Sequence, residues 1–546
     1  MKTSKLLIAG MVLSQAFAYQ ARAVDQATLD KAMAAVKAAY AADAKAAAKK
    51  KAQMPENPVE IQTPTPIIQK PVVEKVEKVE QDNQAEEAKP VVAEKVEAQK
   101  ASSANSAGIS FDMIHTEQKC VPVPGHQPTF CSGQTDTKPS TEASGLEAHI
   151  VQLLDRALKA NPKKARVFAA EFSFSDTAIQ KKMCELGKAG AQVEVYVDAG
   201  SAPNIDFTKN ADCQVDPSHP NLKGSILGGF INFPEWRLHH NKSVLIDAGD
   251  GSNFDIAFSS GNLSVFGVSL HMDHWVFLNA PGQSNIARAT ECLFESLDAA
   301  DAKAKAVGMY VNGAGVWAKD PVVMSAYQAA RNSCYTARKV IPMSQPETAV
   351  AKEGIAPFFT PNEGQYALQT LKTEIAKVSQ QAKKGPAFLY IAIEHFSNQQ
   401  IANALNQAAN AGVDVRIIMN SGTVSGQSEV ASDGPFYDQN LKNGRIKVRF
   451  IETNPQAGGN GQQMHNKFAI LNGKRIFSGA GHYTSSGLVT NFESLYLTQN
   501  EALTKKYLQY FQELWDLSVD ESYVKNNTPK TNPSPLSKDA QAILNN

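Results

Sequence analysis

The chain has 546 residues, and its 54 Lys and Arg residues balance 54 Asp and Glu residues, so the formal net charge at pH 7 is zero. Proteins that bind along a nucleic-acid backbone usually carry a basic excess, so the composition argues against that class, although local basic patches remain compatible with it. The part from Ser110 onward is also close to neutral. The length is sufficient for two domains, each with its own core.

The start of the chain has the pattern of a secretory signal peptide. Lys2 and Lys5 are followed by an apolar run and then by the small-residue segments Ala16–Ala18 and Ala21–Ala23. The pattern predicts a cleaved signal peptide over residues 1–23 and export to the periplasm or out of the cell. After this segment, the sequence contains no run that is long and apolar enough to span a bilayer.

A compositionally biased tract follows over residues 24–109. Its first part is rich in Ala and Lys, and its second part consists largely of Pro, Glu, Lys and Val with few aromatic residues. Such a composition cannot bury enough apolar surface to offset the entropy lost on ordering. We therefore expect a spacer that is disordered or in part helical, and an inert tether is its simplest role.

Beyond the spacer, apolar runs alternate with helical patterns. Two strand-like runs, within Arg166–Asp176 and Ala191–Asp198, enclose a helical stretch at Ile179–Gly190. This alternation is typical of helices packed on a central sheet.

The same arrangement occurs again in the second half. Strand-like runs within Ala387–Asn398 and Ala411–Asn420 enclose a helical stretch, at a constant offset from the first half that also separates Phe174 from Phe396. A constant offset indicates one domain duplicated in tandem. The predicted domains are a first lobe over 110–335, a second lobe over 336–521 and a loosely ordered tail over 522–546, which is rich in Asn, Pro and Lys.

Each half also contains a His and a Lys two residues apart, ahead of an apolar run. The first pair is His240 and Lys242, and the second is His465 and Lys467. Side chains two residues apart on a strand share a face, so each pair can point at one target. Two imidazoles and two ammonium groups at one point can cleave a phosphodiester without a metal, because one His attacks phosphorus, the other protonates the leaving oxygen and both Lys hold the phosphate charge. The repetition in matching context predicts catalysis.

Each His–Lys pair is followed by a small-residue turn and then by a carboxylate. The turns lie within Phe258–Ser264 and Phe477–Thr484, and the carboxylates are Asp273 and Glu493. Small residues let backbone amides and hydroxyls approach a phosphate. A carboxylate at this place can accept a hydrogen bond from a histidine Nδ1, which fixes the tautomer and aims Nε2 at phosphorus.

Together these residues resemble the phospholipase D superfamily, whose pattern is two copies of H-x-K-x4-D, each followed by G-S-x-N and then by N-x-E. The resemblance covers residues 145 to 515, and with the signal peptide it suggests an exported bacterial member. It implies two tandem α/β/α sandwich lobes with mixed central sheets, related by a pseudo-twofold axis, with one active site between the lobes. It also implies a phosphohistidine intermediate that is passed to water in hydrolysis or to an alcohol in phosphatidyl transfer.

The first copy matches the family pattern well, with Ser259 in place of the first Gly, and the second copy departs from it at three positions. On this resemblance the supporting residues are Asp247, Asp273, Asn472 and Glu493, and the phosphate-binding residues are Ser260, Asn262, Gly479 and His482. Asn472, Ala480 and His482 stand where the family has Asp, Ser and Asn. Asn472 followed by Gly473 preserves a hairpin turn while removing a charge. The loss of the Ser hydroxyl and the Asn amide predicts weakened or redirected activity, and an inactive binding protein stays an open interpretation.

By analogy with the family, we expect His240 to be the nucleophile and His465 the general acid, with the reverse assignment open. Attack requires a neutral imidazole and protonation of the leaving group requires an imidazolium, so activity is expected to peak at mildly acidic to neutral pH. The sequence contains no H-E-x-x-H motif, no Cys/His cluster and no carboxylate set with metal-ligand spacing. We therefore expect no cofactor and no catalytic metal.

Six cysteines fit an oxidising compartment, in which up to three disulfides can form. They are Cys120, Cys131, Cys184, Cys213, Cys292 and Cys334. The sequence does not choose among the possible pairings, and Cys120 with Cys131 is the most local. Cys184 and Cys292 are equally compatible with free buried thiols.

The sequence leaves the substrate open between lipid and nucleic acid. The apolar segment Ile226–Trp236 could receive acyl chains or touch a membrane surface, although core packing is the simpler interpretation. A basic cluster, for which a solvated strand face is the simplest interpretation, comprises Lys442, Arg445, Lys447 and Arg449. The run Met464–Ile470 resembles nuclease members of the superfamily, but those mostly pair two short subunits.

We favour an exported phosphodiesterase that hydrolyses phospholipids at a membrane surface, with a nuclease as the alternative. A phosphatidyltransferase is a further possibility within the same family. Because one chain contains both halves of the motif, we expect a monomer.

Overall fold

The structure is a computed structural model. The residues that it describes are 108–116, 120–135, 145–198, 222–226, 238–306, 310–311, 314–315, 321–428, 430, 432–455, 461–526 and 530–545. The signal peptide expected over 1–23 and nearly all of the spacer expected over 24–109 lie outside these residues. The apolar segment Ile226–Trp236 lies outside them as well, except for Ile226.

The first lobe alternates strands with helices. Its elements in chain order are β1 (Ser110–His115), β2 (Cys120–Pro122), β3 (Cys131–Thr135), α1 (Gly145–Ala160), β4 (Arg166–Glu171), α2 (Thr177–Lys188), β5 (Gln192–Val197), β6 (Leu222–Ile226), β7 (Lys242–Asp247), β8 (Phe254–Ser259), α3 (Val265–Ser269), β9 (His274–Ala280), α4 (Asn285–Ala306), β10 (Tyr310–Val311), β11 (Ala314–Gly315) and α5 (Pro321–Arg338). The strands β2 and β3 form a separate antiparallel pair, and so do β10 and β11.

The second lobe repeats this alternation. Its elements are α6 (Pro346–Glu353), β12 (Ile355–Phe359), α7 (Gly364–Ala382), β13 (Phe388–Ile393), α8 (Gln399–Asn410), β14 (Asp414–Asn420), α9 (Gly422–Ser425), α10 (Asp433–Asn440), β15 (Lys447–Ile451), β16 (Lys467–Leu471), β17 (Arg475–Gly479), a π-helical turn (Ser486–Thr490), β18 (Ser494–Thr498), α11 (Glu501–Leu517), α12 (Glu521–Asn526) and α13 (Lys538–Asn545). Within the described part of the chain, no helix is long and apolar enough to cross a membrane.

Each lobe is built on a seven-stranded mixed sheet, and the two sheets have the same strand order. The order is β1-β9-β8-β7-β4-β5-β6 in the first lobe and β12-β18-β17-β16-β13-β14-β15 in the second. In both sheets the last three strands run parallel to one another, and all other neighbours are antiparallel. The prediction of two tandem α/β lobes with mixed sheets is confirmed.

The parallel strands are joined by crossover helices that begin in the same way in both lobes. The side chain of Asp176 accepts a hydrogen bond from the Ile179 amide at the start of α2. The side chain of Asn398 accepts hydrogen bonds from the Gln400 and Ile401 amides at the start of α8. Asp and Asn are favoured here because their side chains satisfy free amides of the first turn. The duplicated sequence therefore starts the crossover helix at the same point in each lobe.

The two lobes pack against each other through the antiparallel parts of their sheets. The rings of Phe258 in β8 and Tyr496 in β18 stack with centroids 3.7 Å apart, inside an apolar cluster that draws on both lobes. The hydroxyl of Ser243 in β7 donates to the hydroxyl of Ser494 in β18 over 2.9 Å. The strands that carry the His–Lys pairs therefore lie at the interface between the lobes.

The cysteines differ from the expectation at two positions. Cys292 in α4 forms a disulfide with Cys334 in α5, and Cys131 and Cys184 are disulfide-bonded as well. The possibility of free buried thiols at Cys184 and Cys292 is therefore wrong. The sequence did not indicate the pairing of Cys292 because it depends on α4 and α5 packing side by side, which brings residues 42 positions apart into contact. The pairing of Cys120 with Cys131 stays a prediction.

The tail also differs from the expectation, because its described part packs on the second lobe. The indole of Trp515 donates to the Ser534 carbonyl over 2.8 Å, and the guanidinium of Arg416 donates to the carbonyls of Ser534 and Pro535. Ala540 in α13 is completely buried. A composition rich in Asn, Pro and Lys suggested loose order, but it does not reveal backbone carbonyls that satisfy buried donors of the lobe.

Candidate active site

The two His–Lys pairs meet at the interface between the lobes. His240 and His465 are each 6% exposed and lie two residues before β7 and β16. The His240 amide donates to the Phe492 carbonyl over 2.8 Å, and the His465 amide donates to the Met272 carbonyl over 3.0 Å. Each histidine is thus held by the backbone of the opposite lobe, just before that lobe's carboxylate. The reciprocal arrangement is the one that a pseudo-twofold axis produces.

Each histidine ring contacts a buried carboxylate of the opposite lobe. Nδ1 of His240 lies 2.8 Å from Oε2 of Glu493, and Nδ1 of His465 lies 2.9 Å from Oδ1 of Asp273. Because a carboxylate accepts the hydrogen bond, each ring carries a proton on Nδ1 and presents Nε2 to the centre of the site. The sequence indicated both carboxylates, and the structure adds that each one crosses to the other lobe.

Both carboxylates are oriented by neighbouring side chains. The hydroxyl of Ser260 donates to Oδ1 of Asp273 over 2.7 Å, and the side-chain amide of Asn491 donates to Oε1 of Glu493 over 3.1 Å. Ser260 was predicted to bind phosphate, but its hydroxyl points at Asp273 and lies 3.1 Å from Nδ1 of His274. The structure therefore gives Ser260 an orienting role behind the reactive histidine.

The two lysines are buried beside the histidines. Nζ of Lys242 lies 3.0 Å from Nε2 and 3.2 Å from the carbonyl oxygen of His240. Nζ of Lys467 donates to the carbonyls of His465 and Ser260 over 2.6 and 3.4 Å. Both side chains have an exposure of at most 1%. An anion at the centre of the site would meet two cations that water does not screen.

The two sides of the site differ in the residue that follows β4 and β13. The amide of Phe172 donates to the Asn241 carbonyl and the amide of Glu394 donates to the Asn466 carbonyl, so Phe172 and Glu394 occupy equivalent positions. The ring centroid of Phe172 lies 5.0 Å from that of His240. Oε2 of Glu394 instead lies 3.4 Å from Nε2 of His465.

Sequence reasoning missed Glu394, although the signal was present. The residue stands directly after a predicted strand, in the segment whose first-half counterpart contains Phe172. A carboxylate in place of an apolar residue at the end of a duplicated strand marks a difference between two otherwise matched half-sites. The difference becomes meaningful only once the position is known to face His465.

Burial shifts the ionisation of the histidines, the lysines and the two crossing carboxylates towards their neutral forms. Glu394 differs, because burial acts to raise its pKa but His465, His395 and Lys467 lower it below its ordinary value. Burial lowers the pKa of His240 and His465 well below the usual range, with further lowering by Lys242 and Lys467 respectively. Glu394 acts in the opposite direction on His465. Burial also lowers the pKa of Lys242 to about 7 and raises the pKa of Glu493 to about 8. A bound phosphodiester anion would favour the cationic forms again.

The predicted phosphate-binding residues of the two turns differ in their surroundings. Gly479 has a φ of 142°, and a Cβ there would lie 2.2 Å from the Ser494 carbonyl oxygen, so close strand packing requires this glycine. The ring of His482 lies 5.3 Å from that of His240 and 5.8 Å from that of His465, measured between centroids. His482 is thus the predicted phosphate-binding residue that the structure brings between the two histidines. Asn262 is 9% exposed, and its Oδ1 lacks a hydrogen-bond partner in the described part of the chain.

Asp247 and Asn472 lie at the far ends of β7 and β16, roughly 15 Å along each strand from the lysines. Asp247 is bound by the Arg166 guanidinium over 2.8 and 3.0 Å and accepts from the Gly249 amide. Asn472, with a φ of 52°, accepts from the Phe388 amide over 3.0 Å. A strand separates both residues from the histidines, so any support that they give is indirect, through the turns that they fasten.

A cavity of about 140 Å³ adjoins Glu394. It is lined by His395, Asn420, Ser428, Thr453 and Gln462, among others. Nδ1 of His395 lies 2.7 Å from Oδ2 of Asp433. Although burial acts to lower the pKa of His395, Glu394 and Asp433 raise it above its ordinary value. The cavity can thus receive a polar group beside Glu394 and His395.

Two groups of side chains among the described residues have the arrangement of metal ligands. One comprises His271, Asp273 and His465, and the other comprises Glu394, His465 and His482. In the first group, His465 would bind the metal through Nδ1, the ring nitrogen that already contacts Asp273. In the second group it would use Nε2, which faces the centre of the site.

Comparison with known proteins places the second lobe in a known family. Residues 378–515 match the family described as cardiolipin synthase, PLD-like domain. The mitochondrial cardiolipin hydrolase of Danio rerio is 24% identical over 150 residues, which are 27% of this chain and 60% of that protein. The protein of the same name from Chlamydomonas reinhardtii is 28% identical over 129 residues, which are 24% of this chain and 52% of that protein. The chain thus spans less than two thirds of each of these relatives.

Among solved structures, the phosphatidylserine synthase of Haemophilus influenzae Rd KW20 is 13% identical, with a TM-score of 0.43. The similarity covers 68% of this chain and 83% of that structure.

The family match includes His465, Lys467 and Glu493 of the second lobe. The first lobe repeats the strand order and supplies the matching His240 and Lys242. Residues 378–515 therefore belong to the phospholipase D superfamily, and the first lobe repeats their strand order and their His–Lys pair.

Proposed function

We propose that this protein is a phosphodiesterase that hydrolyses phospholipids through a phosphohistidine on His240. One observation carries the assignment of roles, namely that the two Nε2 atoms face groups of opposite charge. Nε2 of His240 lies 3.0 Å from the Lys242 amino group, whereas Nε2 of His465 lies 3.4 Å from the Glu394 carboxylate. A nitrogen beside an ammonium keeps its lone pair, and a nitrogen beside a carboxylate holds a proton. The geometry supports His240 as nucleophile and His465 as general acid.

In the first step, the Nε2 lone pair of His240 attacks phosphorus, and the bond from phosphorus to the leaving oxygen breaks. The leaving oxygen takes the Nε2 proton of His465, so the alcohol departs uncharged. Lys242 and Lys467 balance the charge on the non-bridging oxygens. Glu493 accepts the Nδ1 proton of His240 in a hydrogen bond and stabilises the positive charge that develops on that ring.

In the second step, a water molecule gives a proton to the neutral Nε2 of His465 while its oxygen attacks phosphorus. The bond from phosphorus to Nε2 of His240 then breaks, and the phosphomonoester leaves. His240 returns to its neutral form and His465 to its protonated form, so the cycle is balanced.

Two findings support a phospholipid as the substrate. The matching family and both curated relatives carry names that refer to cardiolipin. In addition, the basic cluster near β15 is engaged within the lobe, because Lys447 contacts Asp414 and Arg449 contacts Asp520. Cations that are already paired offer less binding energy to a chain of phosphates.

Export is part of the proposal. Residues 1–23 have the signal-peptide pattern, and the disulfide between Cys292 and Cys334 fits an oxidising compartment such as the periplasm. Fractionation of cells that express the chain with and without residues 1–23 tests this part. Equal distribution of both forms would contradict export.

The activity is tested with the full-length protein in the presence of a chelator. The substrates are cardiolipin vesicles, phosphatidylcholine vesicles and single-stranded DNA, each assayed separately. We expect release of phosphatidic acid from lipid by the wild type and none by His240→Ala, whose folding is checked by circular dichroism. Lys447→Ala serves as a matched control, because it removes a cation outside the site and should retain activity.

Other outcomes would change the proposal in defined ways. Cleavage of DNA without lipid turnover would replace lipid by nucleic acid as the substrate. Formation of a new phosphatidyl ester with added glycerol would indicate transfer in place of hydrolysis. The absence of turnover by correctly folded wild-type protein on all three substrates would overturn the proposal.

A further inference from the structure

We propose that Glu394, His465 and His482 form a binding site for one Zn²⁺ ion, and that the ion switches the enzyme off. The binding site is inferred from geometry and does not depend on the proposed function. The inhibitory effect does rest on the proposed function, because it requires His465 to act as the general acid.

The distances between the three ligand atoms suit a single ion. Oε2 of Glu394 lies 3.4 Å from Nε2 of His465 and 3.7 Å from Nδ1 of His482. All three atoms lie within 4.8 Å of one another. Tetrahedral Zn²⁺ with bonds near 2.0–2.1 Å places its ligand atoms about 3.4 Å apart. Modest rotations of the imidazoles therefore bring all three atoms onto one ion, with the fourth corner open to water.

Two of the three ligand atoms are unsatisfied. Oε2 of Glu394 and Nδ1 of His482 are buried without a hydrogen-bond partner among the described residues. Glu394 as a whole is only 3% exposed. Buried polar atoms normally have partners, and atoms without one call for an explanation such as an ion. A Zn²⁺ ion would satisfy both atoms at once.

The third ligand is already oriented in the way that metal sites require. His465 donates its Nδ1 proton to Asp273 over 2.9 Å, which leaves the Nε2 lone pair free once its proton departs. Histidines that bind metals commonly donate their other ring N–H to a carboxylate in this manner, because the contact fixes the tautomer and raises ligand basicity. The same carboxylate that aims Nε2 at phosphorus would therefore aim it at Zn²⁺.

The first lobe provides an internal comparison. The bridges from Phe174 to Leu263 and from Phe396 to Tyr483 are equivalent, so Asn262 is the counterpart of His482. The counterpart of Glu394 is Phe172, because the amide of each donates to the carbonyl of the Asn that follows the reactive histidine of its lobe. The first half-site thus combines His240 with an amide and a phenyl ring, which do not hold Zn²⁺. Both differences between the half-sites add a zinc ligand to the second lobe.

A nearby charge limits the affinity of the site for metal ions, and the ligand types set its selectivity among them. Nζ of Lys467 lies 3.6 Å from Oε2 of Glu394 and repels any dication. Two imidazoles and one carboxylate suit Zn²⁺, whereas Mg²⁺ and Ca²⁺ prefer sites made of oxygen atoms. We therefore expect binding of Zn²⁺ without comparable binding of Mg²⁺.

Zinc binding is tested by isothermal titration calorimetry on the full-length protein without substrate. We expect one Zn²⁺ per chain at this site, and no heat of binding with Mg²⁺. Changes outside the coordination shell already weaken metal binding by about 10- to 100-fold, so Glu394→Gln and His482→Asn should each weaken it by at least about tenfold. His126→Gln is the matched control, because this histidine is exposed, contacts Glu452 and is not one of the three proposed ligands, so the affinity should stay unchanged.

The variants are also compared by thermal unfolding, so that lost binding is separated from lost folding. If a variant is unfolded, visible absorption of Co²⁺ bound to the wild type decides the question, because a tetrahedral site with two nitrogens gives an intense band and surface binding does not. Unchanged Zn²⁺ affinity in both folded variants would overturn the site, as would the absence of a stoichiometric site in the wild type. Zinc binding by a protein without turnover would leave the site standing and remove the proposed function instead.

Discussion

Nδ1 of His240 lies 2.8 Å from Oε2 of Glu493, although the two residues belong to different lobes. The reciprocal contact, from Nδ1 of His465 to Oδ1 of Asp273, spans 2.9 Å. Neither lobe alone can hold its own histidine in the reactive tautomer, so the site is complete only when the two lobes are docked. The tandem duplication makes that docking intramolecular.

The crossed contacts predict that the two carboxylates serve different steps. Asp273→Asn should weaken the general acid His465 and slow the release of an alkyl alcohol by about 10²- to 10⁴-fold, the usual contribution of general acid catalysis. In the first turnover, the same variant should release nitrophenolate from a nitrophenyl diester almost normally, because nitrophenolate departs without protonation. Glu493→Gln should slow both substrates, since it impairs the nucleophile His240. Single-turnover rates of product release from the two substrates provide the measurement, because His465 also takes the proton of water in the second step.

His465→Ala is the control for this comparison, because removal of the acid itself should reproduce the selective loss on the alkyl substrate. Equal losses on both substrates for Asp273→Asn would reverse or remove the assigned roles. A selective loss in Glu493→Gln in place of Asp273→Asn would identify His240 as the acid.

Lys242 predicts the pH dependence. Burial lowers the pKa of its ammonium to about 7, and the ammonium is needed to hold the phosphate charge. A cation is lost as pH rises through its pKa, so kcat/KM of the free enzyme should be highest below that value and fall above about pH 7. The pH profile of kcat/KM, recorded with chelator present, checks this expectation. Lys242→Arg should lose much of its activity, but its remaining kcat/KM should not fall above about pH 7, because Arg stays protonated. A wild-type profile that is flat up to about pH 9 would contradict the role of Lys242.

Much of the site was predictable because the chain contains the same pattern twice. A His–Lys pair on one strand face, repeated at a matching place in a duplicated α/β domain, already indicates where the chemistry lies. The turn at Asn472 and Gly473 was also predictable, because both residues adopt the positive φ that such a hairpin requires, 52° and 63°.

The remaining features depend on contacts between segments that are distant in the chain. Sequence spacing does not reveal that Ser260 turns towards Asp273 or that Glu394 faces His465, because both depend on how the strands end at the lobe interface. Asp247 illustrates the opposite case. Its place in the motif suggested a supporting role without showing what it supports, and the length of β7 puts it at the far end of the strand from the histidines.

Asp247→Asn is therefore expected to affect stability and not catalysis. The residue binds Arg166 through two hydrogen bonds at the partly exposed end of β7, so the loss of its charge should lower the free energy of unfolding by about 1 kcal/mol. Urea denaturation measures the loss, and kcat should stay within about threefold of the wild type. A large fall in kcat without a change in stability would return Asp247 to the catalytic machinery.

The disulfide between Cys292 and Cys334 predicts a larger effect on stability. It closes a loop of 42 residues between α4 and α5, and such a cross-link stabilises a fold by about 2–4 kcal/mol, mainly through the unfolded chain. The double variant Cys292→Ala and Cys334→Ala should lose this amount in urea denaturation while keeping its activity at low temperature, because neither residue contacts the histidines. Single replacement of Cys292 by Ala should cost as much, since either change breaks the bond. A double variant as stable as the wild type would show that the packing of α4 on α5 holds the two helices together without the disulfide.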